Sequence, residues 1–198
     1  MEGIDGSGKS TMVAGLRRKL EEKGYGVEVT KEPTDGPIGK YIRQVLRGEK
    51  ELGHAELQLM FTADRAHHHN EMIDPAIESG KHVITDRHAL STISYGAAMG
   101  LDQEWLENCN APFLEKVDFG LYIDLRPEIA MERRARSGTK LELFEKLPLL
   151  QKIHAAYKRS LENPRINPPS RPKWYVVDGT LGPEELVGKT YEIVRQRL

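Results

Sequence analysis

Eight residues near the start of the chain, Gly3-Ile4-Asp5-Gly6-Ser7-Gly8-Lys9-Ser10, carry glycines, a lysine and a hydroxyl at the spacing that cradles phosphate. The glycines let the backbone turn with its N–H groups inward, Lys9 adds a point charge for terminal phosphates, and Ser10 offers a hydroxyl to a magnesium ion. A helical pattern runs from Thr11 to Lys23, so its N-terminal dipole faces the same anion. A strand-to-helix turn that binds nothing would need neither Lys9 nor Ser10 in place. Bound ATP or GTP is therefore expected.

Three further groups could act on what receives the phosphate, and each has two readings. Phe61 and Arg65 share a helix face, either as a base-stacking plane beside a forked donor or as an ordinary pair of core and surface residues. Asp86 and Arg87 follow the apolar run Val83-Ile84-Thr85, at the strand end where parallel sheets hold ligands. There Asp86 could hold magnesium through water and Arg87 could grip a phosphate, or the two could form a surface ion pair. Arg133, Arg134 and Arg136 end a helix that starts after Pro127 and gives way to Ser137-Gly138-Thr139. They read as a lid over about residues 133–142 that closes on the phosphoryl group, or as a basic helix end favoured by the dipole. His67, His68 and His69 are consecutive, point about 100° apart on a helix, and read as a solvated face, not a metal site.

The elements that must position these residues alternate. Gly26 to Thr30, Lys81 to Thr85, Phe119 to Leu125 and Trp174 to Val177 read as buried strands. Helical patterns lie at Thr11 to Lys23, Ile38 to Arg47 and Ala55 to Ser79, each followed by glycine. Phe144, Leu147, Leu150, Ile153 and Tyr157 form a core stripe on a helix over Leu141 to Leu161, which Pro148 should kink or start. The alternation predicts an α/β fold, a parallel sheet with helices on both faces, in a single domain over residues 1–198. Only Met1 and Glu2 precede Gly3, so the first strand reads as largely missing; a start upstream of Met1 is expected, since an open slot would strand backbone groups. The net charge of −1 supplies no global field for a polyanion, so no nucleic-acid partner is expected. Cys109 is the one cysteine, which excludes an internal disulfide. No apolar run or signal segment points to a membrane, and a cytoplasmic protein is expected.

In this order and spacing, EGIDGSGKST, TKEP, FTADR and DRHALSTISY resemble the thymidylate kinase family, from Glu2 to about Leu161, with an echo in Val177-Asp178-Gly179. The resemblance implies a three-layer P-loop NTPase fold, conversion of dTMP and ATP to dTDP and ADP with magnesium, and a homodimer. It implies that Phe61 stacks on thymine, Arg65 bonds a thymine carbonyl, Arg87 holds the acceptor phosphate, and Tyr95 packs under the sugar. Thr92 would face the base, and Asp5 would lie beside the phosphates and metal. Gly96 departs from the glutamine common after the tyrosine, and Lys31 from the arginine common before Glu32-Pro33. The loop carries no arginine, so charge for the transition state would come from the lid, as in one branch of the family. The alternatives are a kinase of another monophosphate or of a deoxynucleoside, and a nucleotide-binding module without transfer activity.

Overall fold

The computed structural model describes residues 1–137, 143–144, 146–170 and 173–198. Its helices, in chain order, are α1 (Lys9–Glu21), α2 (Pro37–Leu46), α3 (His54–His68), α4 (Asp74–Glu78), α5 (Ala89–Ala98), α6 (Gln103–Glu115), α7 (Pro127–Ser137), α8 (Leu147–Glu162) and α9 (Pro183–Arg195). Its strands are β1 (Val27–Lys31), β2 (His82–Asp86), β3 (Gly120–Asp124) and β4 (Trp174–Asp178). The strand ends lie within a residue or two of those expected. Helices α5, α6 and α9 are additions to the expected set; α9 nonetheless carries a helical stripe, with Leu186, Val187, Thr190 and Val194 buried on one face.

The long helix expected over residues 55–79 is divided. Between α3 and α4 the turn His69–Ile73 is π-helical, with the Asp74 N–H reaching back five residues to the His69 carbonyl. Pro75 supplies no N–H and crowds the preceding carbonyls, which a widened turn accommodates. Helix α8 starts at Leu147 with Pro148 in its first turn, so Phe144 lies ahead of the helix and is not part of its stripe. Proline at that position loses only an N–H that the helix start leaves unpaired anyway.

The strands form two parallel pairs, β1 with β2 and β3 with β4. Met1 and Glu2 join them. The Met1 nitrogen donates to Thr85 O (2.7 Å) and Met1 O accepts from Arg87 N (2.8 Å). On the other side Glu2 N donates to Leu121 O (2.8 Å) and Glu2 O accepts from Ile123 N (2.9 Å). These two residues occupy one end of the slot between β2 and β3 and satisfy the backbone groups of Thr85, Arg87, Leu121 and Ile123 that they meet. Alternate residues of β3 then enter different clusters. Leu121 and Ile123 pack with Met12, Leu16 and Leu20 of α1 and Leu186 of α9. Tyr122 packs with Ile4, Leu90 and Ile93 and with Leu150, Ile153 and Tyr157 of α8. Each such fully buried aliphatic side chain contributes about 2 kcal/mol of transfer free energy.

The Glu2 side chain, fully buried, accepts hydrogen bonds from His88 N (2.9 Å), Ser91 N (3.2 Å), the Tyr157 hydroxyl (2.9 Å) and Ser91 Oγ. It thereby caps the N-terminus of α5 from another strand. Replacing Glu2 with Ala strands these donors in the interior and is expected to cost about 3 kcal/mol of unfolding free energy, measured by urea denaturation. Glu2→Gln, which keeps one acceptor oxygen, should cost less.

Candidate active site

After β2 the chain turns sharply at Arg87, the one non-glycine residue with a left-handed backbone among the described residues (φ 70°). Such a conformation costs about 1 kcal/mol for a side chain of this kind, here offset by Arg87 N donating to Met1 O and Thr85 Oγ donating to Arg87 O. The turn faces the guanidinium to the phosphate loop. Its Nη1 donates to Gly3 O (3.1 Å) and Ser91 Oγ (3.1 Å), and its Nη2 pairs with Asp5 (2.7 Å). The guanidinium also lies over the Tyr95 ring at 5.0 Å, while the Tyr95 hydroxyl donates to Asp5 (3.2 Å). Burial alone would raise the Asp5 carboxyl, but Arg87 and Lys9 beside it hold it well below the ordinary carboxylate range.

In the loop, Lys9 Nζ donates to Gly3 O and Ile4 O, both at 3.0 Å. Burial, reinforced by Arg87, lowers this ammonium to about 8, with Asp5 and Asp86 opposing the shift. Helix α1 follows Gly8 as its N-terminal cap and has no acidic residue in its first turn, which leaves its dipole free to act on an anion. At Gly6 (φ 82°) an added Cβ would lie 2.5 Å from Ala130 O and 3.1 Å from Arg134 Cγ. Helix α7 therefore packs directly on the loop, and of the three expected lid arginines Arg134 has its stem against Gly6. Arg133 is partly buried, and Arg136 is exposed and pairs with Glu132 at 3.9 Å. The remainder of the expected lid, residues 138–142, lies outside the described residues.

Ser10 Oγ donates to Asp86 Oδ2 at 3.4 Å, and Asp86 Oδ1 is buried without a hydrogen-bond partner. A hydroxyl beside a carboxylate oxygen with open lone pairs suits a hard, oxygen-seeking divalent cation. Thr11 is exposed on the first turn of α1. Among the described residues no group of three or more His, Cys, Asp or Glu converges as a metal cage.

A cavity of about 230 Å³ lies beside Arg87, and it brings together Asp5, Phe61, Arg65, Arg87, Thr92 and Tyr95. Arg65 is 1% exposed, so it is no surface partner of Phe61. Its Nη1 donates to Asn110 Oδ1 (2.5 Å), and its Nη2 to Glu32 Oε2 (2.6 Å) and Thr92 Oγ1 (3.0 Å). Burial alone would raise Glu32, yet Arg65 and then His68 hold it down at about 2.

The histidine run is not a solvated face. His68 and His69 are 3% and 4% exposed. His68 meets Thr30 Oγ1 (2.6 Å) and Glu32 Oε1 (3.2 Å), while His69 meets Asp74 (2.8 Å) and the His88 ring (3.0 Å). The helix is sandwiched, so neighbours pointing about 100° apart both find protein: β1 on one side, and Phe113 of α6 and the His88 turn on the other. Glu32 and Phe144 also line the cavity and Asn110 backs it through Arg65; the sequence marks Glu32 only within the TKEP segment, Phe144 only as a core residue, and Asn110 not at all.

A phosphate loop opening a helix, with an acid and an arginine at the end of a neighbouring parallel strand, defines an α/β protein of the P-loop class. The family model described as thymidylate kinase matches residues 1–186. The thymidylate kinase of Leptospira borgpetersenii serovar Hardjo-bovis is 39% identical over 193 residues, covering 97% of this chain and 90% of that protein. A probable thymidylate kinase of Archaeoglobus fulgidus is 35% identical, covering 100% of this chain and 94% of that protein. Another, from Thermococcus kodakarensis, is 41% identical over 82% of each chain. The chain belongs to the thymidylate kinase family. Among the described residues no helix is long and apolar enough to cross a membrane.

The buried network behind the cavity makes the fold sensitive to acid. Burial pushes His88 down to about 3 from 6.5, with Glu32 opposing and Arg65 and His69 adding to the shift. The unfolded chain therefore binds this proton first, and stability is full above pH 6.5 and falls as the pH drops toward 3. Glu32, held at about 2 against 4.5, extends the loss in the same direction at lower pH. Unfolding free energy measured by urea titration should fall by a few kcal/mol between pH 7 and 4. His88→Gln should flatten the upper part of that curve.

Proposed function

We propose that the chain phosphorylates dTMP to dTDP with ATP, working as a single three-layer domain over residues 1–198. The observation that carries this reading is Arg87, which contacts the phosphate loop at Gly3 and Asp5 and also lines the cavity holding Phe61, Arg65, Thr92 and Tyr95. One side chain thus joins a nucleotide-phosphate site to a site shaped for a base.

The acceptor is a phosphate monoester, largely dianionic near neutral pH because its second pKa is about 6, so its oxygen needs no general base. The work left to the protein is alignment and charge neutralisation. Lys9 and the N–H groups of residues 3–11 hold the triphosphate, and Arg87, preset by Asp5, grips the acceptor phosphate. Phe61 stacks on the base, Arg65 donates to its carbonyl, Thr92 borders it, and Tyr95 supports the sugar. Ser10 and Asp86 would hold magnesium, whose chemistry here is neutralisation of phosphate charge. Arg134, already against Gly6, is the lid arginine best placed to meet the transferring group, with Arg133 and Arg136 as neighbours on the same helix. Lid closure excludes water and so favours transfer over hydrolysis. A homodimer in the cytoplasm accords with the family. The exposed Leu59, Met72 and Ile77 along residues 54–78 support an apolar contact with a second copy.

A coupled assay of ADP release across dTMP, dUMP, dCMP, dAMP and dGMP tests the reading. The highest kcat/KM is expected with dTMP; equal turnover of dCMP would sink the thymidylate assignment, and ATP binding with no dTDP formed would favour a non-catalytic module. Arg65→Ala should lower kcat/KM for dTMP about a hundredfold and leave the KM for ATP within about twofold. Arg134→Ala should lower kcat on the order of a hundredfold, whereas Arg136→Ala should change it by less than about threefold.

A further inference from the structure

Helix α3 turns three side chains to the cavity at i, i+3 and i+7: Gln58, Phe61 and Arg65. Two of them are accounted for by stacking and by donation to a carbonyl. Gln58 is not. It is 1% exposed, yet neither its Oε1 nor its Nε2 has a hydrogen-bond partner. A primary amide offers two donors and an acceptor, and burying all of them unmet is among the costlier arrangements a protein interior can hold. An apolar side chain of similar length would fill the same volume without that cost.

The room for Gln58 is itself a property of this chain. A Cβ added at Gly96 would lie 2.7 and 2.9 Å from the Leu106 methyls and 3.1 Å from Gln58 Cγ. Any side chain at position 96 would therefore press on Gln58. With glycine there, α5 and α3 approach closely and the amide stays at the cavity wall.

The chemistry that would satisfy this amide follows from what surrounds it. Arg65 can only donate, so it serves a ring carbonyl and nothing else. Glu32 Oε2 and Thr92 Oγ1 already accept from Arg65. A pyrimidine whose edge runs carbonyl, N–H, carbonyl needs an acceptor for its N–H; Thr92 Oγ1 keeps one lone pair, but only the Gln58 amide presents an acceptor and a donor side by side to match that edge. Gln58 can supply one through Oε1 and return a hydrogen bond from Nε2 to the adjoining carbonyl. We propose that Gln58 is a specificity residue that reads the N3–H and an adjacent carbonyl of the acceptor pyrimidine, beside Arg65. The proposal rests on dTMP being the acceptor, as argued above.

The test uses the full chain in the ADP-release assay with dTMP and with N3-methyl-dTMP, which lacks the N–H. Unmodified protein should favour dTMP. Gln58→Met, close in volume but without the amide, should raise the KM for dTMP about tenfold, leave the KM for ATP unmoved, and narrow the preference over N3-methyl-dTMP by the same factor. Its melting temperature should stay level or rise, because an unmet amide has been removed. Gln58→Leu serves as a second variant should Gln58→Met fail to fold. Saturation of unmodified protein with dTMP should also shift the Gln58 side-chain amide resonance in ¹⁵N NMR. An unchanged KM for dTMP in the variants, or an amide resonance that does not move, overturns the role of Gln58. Absence of thymidylate turnover by the unmodified protein would defeat the broader reading instead.

Discussion

The structure depends on what Met1 and Glu2 do between the two pairs of strands. Their backbone groups pair with Thr85 and Arg87 on one side and with Leu121 and Ile123 on the other, so two short parallel ribbons become mechanically continuous. Two-stranded pieces of this length are marginal alone. The Glu2 carboxylate then does a second task, gathering His88 N, Ser91 and the Tyr157 hydroxyl. Those donors belong to the start of α5 and to the middle of α8, so one buried acid fixes the helix that carries Thr92 and Tyr95 and the turn that carries Arg87.

Positive charge is arranged in the same manner. Arg87 and Arg65, which line the cavity together with Arg43, are each restrained by a carboxylate of the protein itself: Asp5 for the first and Glu32 for the second. Pairing of this kind offsets the desolvation that a buried cation would otherwise suffer. It also orients the planar fork before any substrate arrives, so less freedom is lost on binding. Asn110 and His68 extend the restraint outward from Arg65 and Glu32 into α6 and the far end of α3. The cavity is in this sense built on its partners as much as on its lining.

What the sequence could disclose follows from the range of the interactions. The phosphate loop is local, eight residues with fixed roles, and it is readable without a fold. The strand positions are nearly so, because short apolar, β-branched runs are set off by helices that end in glycine, and both signals obey local sterics. Arg65 is different: taken alone with Phe61 it is an ordinary helical pair, and only contacts with Glu32, 33 residues away, and Asn110, 45 away, make it a buried cation. His68 and His69 were misleading for the same reason. Helical periodicity tells which residues share a face, but not whether the opposite face also meets protein, as it does here against His88 and Phe113. Phe144 is absent from the α8 stripe because Pro148 belongs to a helix start, so the helix begins at Leu147, after Phe144.

Polar groups in the interior divide into those that are satisfied by protein and those that are not, and the division has meaning near the site. Glu2, Glu32 and Asp5 are each met by several donors, as structural acids must be. By contrast the Gln58 amide, Arg65 Nε and Asp86 Oδ1 are buried without partners. Hydroxyls in the same condition, such as Ser94 and Ser160, are cheap to leave so; an amide, a guanidinium nitrogen and a carboxylate oxygen are not. The two nitrogen-bearing groups line the acceptor cavity, and the oxygen stands beside Ser10. Under the proposed function, a base and a hydrated cation bound there would meet these three groups. Burying them unmet lowers stability without ligand, and in that reading binding would regain what was lost.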